Sequence, residues 1–141
     1  MNPFSSYFHD LRRRHQVSQK ELAKIIGYEQ GYISGLEVGR KNPPNEEFIA
    51  KLIAALNLDA AEQAALRQAV EESQRKYMLP GNASAEVFKM VNKLWHEIEN
   101  LHPAQIRIIN DVLQLRDQWS TPNGVRLGQT PHREQRQEAK M

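Results

Sequence analysis

The chain has 141 residues and 16.3 kDa, with 40% hydrophobic and 26% charged residues, which is enough for one compact core or a small core with an appendage and excludes a large multidomain enzyme. Its formal net charge of +2 defines no partner, but the basic excess is local: seven Lys or Arg stand against four acids through Pro44. The absence of cysteine excludes a disulfide scaffold, a Cys-ligated metal and a thiol nucleophile, while the lack of any long apolar run and the late charges of MNPFSSYFHDLRRR predict a soluble, cytoplasmic protein with neither membrane span nor signal peptide.

Five short helical patterns fill residues 3 to 79. Asn2-Pro3 suits an N-cap and first helical position, and Phe4, Tyr7, Phe8 and Leu11 recur at helical spacing, so helix 1 is expected to end near Arg14 or His15. Ser18-Gln19-Lys20-Glu21 reads as a capping box opening helix 2, with Leu22, Ala23, Ile25 and Ile26 available to bury and Gly27 as its stop. Helix 3 is expected over about Gln30 to Val38, burying Ile33 and Leu36 with Tyr28 at its entry, before Gly39. Asn45 caps helix 4, which turns Phe48, Ile49, Leu52, Ile53 and Leu56 to the core, and Asp59 with Glu62 opens helix 5, which carries Leu66, Ala69, Val70, Ser73 and Tyr77 inward.

Leu79-Pro80-Gly81-Asn82 reads as a turn or linker, dividing a domain at 1–79 from a helical hairpin at 84–119. Val87, Val91, Leu94, Ile98 and Leu101 step alternately by four and three residues, with Phe88, Met90 and Trp95 widening the stripe. His102-Pro103 breaks that helix, and Ile106, Ile109, Val112, Leu113 and Leu115 define another ending near Trp119. Two helices of this size have no room for a core of their own, so the stripe including Trp95 serves either as core against the first domain or as a dimer or partner interface. Residues 120–141 hold few large apolar side chains, which predicts a flexible tail.

The stretch QKELAKIIGYEQGYISGLEV, Gln19 to Val38, meets the steric demands of two helices crossing through a tight turn. Ala23 is small where the helices would touch and Gly27 permits a positive φ between them. Leu22, Ile26, Ile33 and Leu36 form the inner face, which leaves Glu29, Gln30, Gly31, Tyr32, Ser34 and Gly35 outward, the face such a geometry offers to a major groove.

The run SQKELAKIIGYEQGYISGLEVGRKNPP resembles the Cro/repressor (XRE-like) helix-turn-helix family of DNA-binding regulators, over roughly residues 4 to 58. The resemblance implies an all-α, five-helix repressor-like domain, symmetric dimers on partly palindromic half-sites, and transcriptional regulation without catalysis or cofactor. It also implies a phosphate contact for Gln19, with Lys20 beside it, and base-reading positions at Gln30, Gly31 and Gly35. Arg12 and Glu37 fall at the family's internal salt-bridge positions. Gly31 and Gly35 stand where the family more often carries longer side chains.

The chemistry of the residues points the same way for Gln30, whose amide can bond adenine N6 and N7 together. Glu29 can accept from cytosine N4, although it repels phosphate. Arg40, Lys41 and Asn42 follow helix 3 on the loop expected along the phosphate backbone. Other motifs lead nowhere: the histidine after His96-Glu97 is His102, at the wrong spacing for a zinc helix, and Gly27, Gly31, Gly35 and Gly39 lie in polar sequence unlike a membrane dimer motif. No metal site and no catalytic set is expected. Two readings remain: a dimeric transcriptional repressor on double-stranded DNA, or a helix-turn-helix-derived interaction module, antitoxin-like, that binds a protein through residues 84–119 with weak or non-specific DNA binding.

Overall fold

The first turn of a helix leaves its amides without partners, and four helices of the N-terminal unit begin where a short polar side chain takes one up. In the computed structural model, which describes residues 1–119, Asn2 accepts from the Ser5 amide at 2.8 Å to open α1 (Pro3–Arg14). Ser18 and Glu21 close a capping box on α2 (Gln19–Ile26), Asn45 caps α4 (Glu46–Leu56), and Asp59 with Glu62 closes a second box on α5 (Ala60–Glu72). The exception is α3 (Gln30–Val38), where Glu29 occupies the N-cap without a side-chain hydrogen bond. Gly27 and Gly39 end α2 and α3 at φ +78° and +80°, the left-handed region in which a side chain is strained.

These five helices enclose one core. Phe4, Phe8 and Leu11 of α1 meet Leu22 and Ile26 of α2, Ile33 and Leu36 of α3, Phe48 and Leu52 of α4, and Leu66 of α5. Phe8 stacks on Phe4 at 5.3 Å between centroids and meets the ring of Phe48 edge-on at 5.9 Å, so one aromatic ties α1 to α4; burying each such side chain stabilises the fold by about 1.5–3 kcal/mol. Helix α1 lies against α3 and α5, and α2 against α3 and α4. At the start of α1 the Phe4 amide donates to the buried Ser73 Oγ at 2.8 Å, and that hydroxyl donates to the Ala69 carbonyl at 2.7 Å. One hydroxyl thereby satisfies an orphan amide of α1 and fastens the end of α5 to it.

Two expected core positions are corrected. Ile25 is 59% exposed because α2 turns Leu22, Ala23 and Ile26 inward and leaves Ile25 on its outer side, and Tyr77 is 77% exposed because α5 stops at Glu72. The helical period carries no information past that end.

The chain divides after Met78. The second unit holds α6 (Ala85–Glu97), capped by Ser84, a 3-10 turn at Ile98–Asn100, and α7 (Pro103–Trp119). Among its described side chains none is buried, and Trp95 is 69% and Leu113 70% exposed. Among the described residues the molecule is all-α, with five helices around one core followed by two further helices and no strand. The tail expected at 120–141 lies outside the described residues. No helix among the described residues is long and apolar enough to cross a membrane.

Candidate nucleic-acid interface

The crossing of α2 and α3 is set by a turn with little freedom of path. The Gly27 amide donates to the Ala23 carbonyl at 2.9 Å and that of Tyr28 to the same carbonyl at 3.0 Å, so the chain reverses at once into α3. Tyr28 then stacks on Tyr32 at 5.5 Å, and both rings meet Phe48 edge-on at 5.1 and 5.8 Å. This aromatic group pins the first turn of α3 to α4. Burial, with the Tyr28 phenol beside it, pushes the Tyr32 phenol above its ordinary value.

At the other end of α3 a buried carboxylate fixes the helix from three sides. Glu37 is 3% exposed. Arg12 Nε lies 3.1 Å from both of its oxygens and Nη2 donates to Oε1 at 3.0 Å, while Nη1 donates to the Val17 carbonyl at 2.8 Å. His9 Nδ1 approaches Oε1 at 2.7 Å, and Gln19 Nε2 donates to Oε2 at 2.6 Å. Burial alone would push the Glu37 carboxyl up, but the hydrogen bonds from Arg12, His9 and Gln19 and the charge of Arg12 hold it below its ordinary range. One side chain thus joins α1, α2 and α3.

The outward face is narrower than the helical period predicts. Glu29, Gln30 and Gly31 are exposed at the uncapped start of α3, and a Cβ on Gly31 would meet nothing within 4 Å. Tyr32 and Ser34 are only half-buried, Tyr32 because of its packing on Phe48. Gly35 is buried and not outward: the stem of Lys41 folds back over it, so that a Cβ there would stand 2.9 Å from Lys41 Cγ. Gln19 is half-buried and spends its amide on Glu37, which places it at the foot of α3. Lys20, Arg40, Lys41 and Asn42 are exposed, and among the described residues Lys20, Arg40 and Lys41 form no ion pair.

In the second unit, Val87, Trp95 and Ile98 are exposed, with Val91, Leu94 and Leu101 half-buried. Among the described residues no group of three or more His, Asp or Glu is placed to hold a metal ion.

A family model described as a helix-turn-helix domain matches residues 4–66. Residues 4–66 are a helix-turn-helix domain. The match contains the SQKEL to NPP run on which the sequence resemblance rests. No curated protein matches the chain. Among solved structures, a complex of the SinR and SinI proteins aligns with 82% of this chain and 98% of its own, at 20% identity and a TM-score of 0.40.

Within the helix-turn-helix domain, sequence reasoning misses three participants. Scattered histidines give no signal in the sequence, yet His9 touches Glu37, and His15 Nε2 lies 2.8 Å from Glu62 Oε2, joining α1 to α5. The Tyr28–Tyr32–Phe48 group is legible only as separate aromatics, because its members come from two helices and the turn before one of them.

Proposed function

We propose that this chain is a sequence-specific transcriptional regulator, a repressor that binds double-stranded DNA as a dimer with α3 in the major groove. The observation that carries the reading is the pairing of an exposed, uncapped start of α3, bearing Gln30 and Gly31, with the exposed cations Arg40 and Lys41 on the loop after its other end, which form no ion pair among the described residues. Gln30 has the donor and acceptor to read adenine, and Gly31 allows the backbone to come close beside it. Lys20, Arg40, Lys41 and Asn42 are assigned to phosphates, which position the helix without reading sequence. Gln19 orients the foot of α3 through Glu37, and Arg12 with Glu37 is structural. Tyr32 and Ser34 contribute shape, and Gly35 acts through Lys41, which it allows to lie flat on the helix.

A single domain of this size offers little contact, whereas two linked copies add effective concentration and set half-sites about 34 Å apart. The apolar stripe of α6, with Val87, Val91, Leu94 and Trp95, continued by Ile98 and Leu101 in and after the 3-10 turn, is assigned to the homodimer contact. One observation favours the second reading, an interaction module with weak DNA preference: with Gly31 bare and Gly35 covered, Gln30 is the one long neutral side chain on the exposed start of α3.

Two substitutions test the assignment by binding to a selected site and to mixed-sequence duplex. Gln30→Ala removes sequence preference and keeps salt-sensitive general binding, whereas Lys41→Ala weakens both duplexes alike. Unchanged affinity in both variants would mean that the face is wrongly assigned.

A further inference from the structure

Three helix ends meet at one pole of the helix-turn-helix domain. The last turn of α3 abuts the start of α1, since a Cβ on Gly39 would lie 3.3 Å from Ser5 Oγ and 3.4 Å from Met1 Cα. The end of α5 is fastened to that same start through the Phe4 to Ser73 hydrogen bond. The loop after α3 and the segment after α5 therefore leave from neighbouring points. Between them lies a cleft of about 540 Å³, with Asn42, Pro43 and Pro44 on one wall and Gln74, Arg75 and Lys76 on the other.

We propose that this cleft continues the DNA-backbone contact, with Arg75 and Lys76 taking phosphates of the duplex beside those met by Arg40 and Lys41. The proposal rests on the DNA-binding reading above and extends it to two residues beyond the matched domain, which ends at residue 66. Arg75 and Lys76 are exposed and form no ion pair among the described residues, whereas the nearby Arg67 is taken by Glu46 at 2.7 Å. An unpaired cation keeps its full attraction for phosphate; a paired one must first give up its partner. Glu71 and Glu72 are the acids on the last turn of α5, and Glu71 lines the neighbouring hollow with Arg67. The opposite wall is preset, because Pro43 and Pro44 have fixed φ and no amide proton to satisfy, and Pro44 is buried. Beyond Ser73 the segment is no longer helical, and the Tyr77 hydroxyl donates to the Glu71 carbonyl at 3.4 Å, which holds Arg75 and Lys76 near the end of α5.

The test compares the full-length protein with Arg75→Ala/Lys76→Ala on mixed-sequence duplex across a salt series, with phosphate ethylation interference on the same duplex. Both substitutions are on exposed residues outside helices, so thermal unfolding is expected to stay unchanged; Arg75→Gln/Lys76→Gln provides a second neutral pair. Each lost phosphate contact flattens the log–log salt dependence by about 0.9, so the double variant is expected to lose about 1.8. Ethylation of the matching phosphates should block the wild type and cease to affect the variant. An unchanged slope, or a flatter slope with an unchanged interference pattern, would overturn the proposal and leave the DNA-binding reading standing. A wild-type protein that binds no duplex would overturn both.

Discussion

Glu37 shows how much of this domain hangs on one side chain. It is nearly inaccessible, yet charged, and the arrangement is stable because Arg12, His9 and Gln19 converge on its two oxygens. Arg12→Ala removes the guanidinium that pairs with Glu37 and also frees the Val17 carbonyl, so a loss of about 3 kcal/mol is expected in urea unfolding. Because the folded Glu37 carboxyl lies below its ordinary value, its contribution is present above the unfolded pKa and disappears as pH falls through the folded one. Wild-type stability should therefore decline as pH drops below about 4.5, where an unfolded glutamate begins to take up its proton. Glu37→Gln should start lower and show a flatter acid limb; an equally steep limb would assign the decline to other carboxylates. The Arg12–Glu37 pair is legible through the family resemblance, but the part of His9 is not. It comes from one helix and Glu37 from another, 28 positions on, and only the crossing of α1 and α3 joins them. Gly35 escapes for a similar reason: the helical period assigns a residue to a face, and says nothing of a later side chain folding back to cover it.

At the scale of single helices the polar residues at the boundaries carry the information. Ser18 with Glu21 and Asp59 with Glu62 mark two starts to the residue, because a capping box is a local hydrogen-bond pattern that needs no tertiary partner. The ends are less legible: Tyr77 continues the apolar spacing of α5, but the helix closes at Ser73, whose hydroxyl is spent on Phe4 and Ala69. For α3 the exposed Gly31 separates stability from binding. A methyl there meets no protein atom, and Ala favours a helix by up to about 1 kcal/mol over Gly, so Gly31→Ala should raise thermal stability. If α3 lies against the base edges, the same methyl lowers DNA affinity. Higher stability with unchanged affinity would mean that the backbone does not approach the bases at that point. For α6, the stripe with Trp95 is legible as an apolar face, while the surface it covers is not, since a heptad-like pattern is the same for a core and for a partner. Removing residues 84–141 is expected to turn a dimer into a monomer by light scattering, and an undiminished dimer would move the contact into the first domain.

For the whole molecule, a modest net charge conceals a local arrangement of basic groups. Seven of the nineteen Lys and Arg lie within residues 1–44, and they serve different ends. Lys20 stands in the first turn of α2, and Arg40 with Lys41 follows α3, all three without an ion pair among the described residues, while Arg12 is withdrawn into the fold by Glu37. Under the proposed function the division of labour is physical: cations at the edges supply affinity that falls with salt, and the single amide of Gln30 supplies discrimination that does not depend on charge. Dimerisation would double both and add the spacing between half-sites. The most direct test is capture of sheared genomic DNA by the purified full-length protein at low and near-physiological salt, with sequencing of what stays bound. The account predicts that a few sites sharing an inverted repeat persist at the higher salt. Uniform recovery at low salt, lost entirely at the higher one, would contradict a sequence-specific regulator.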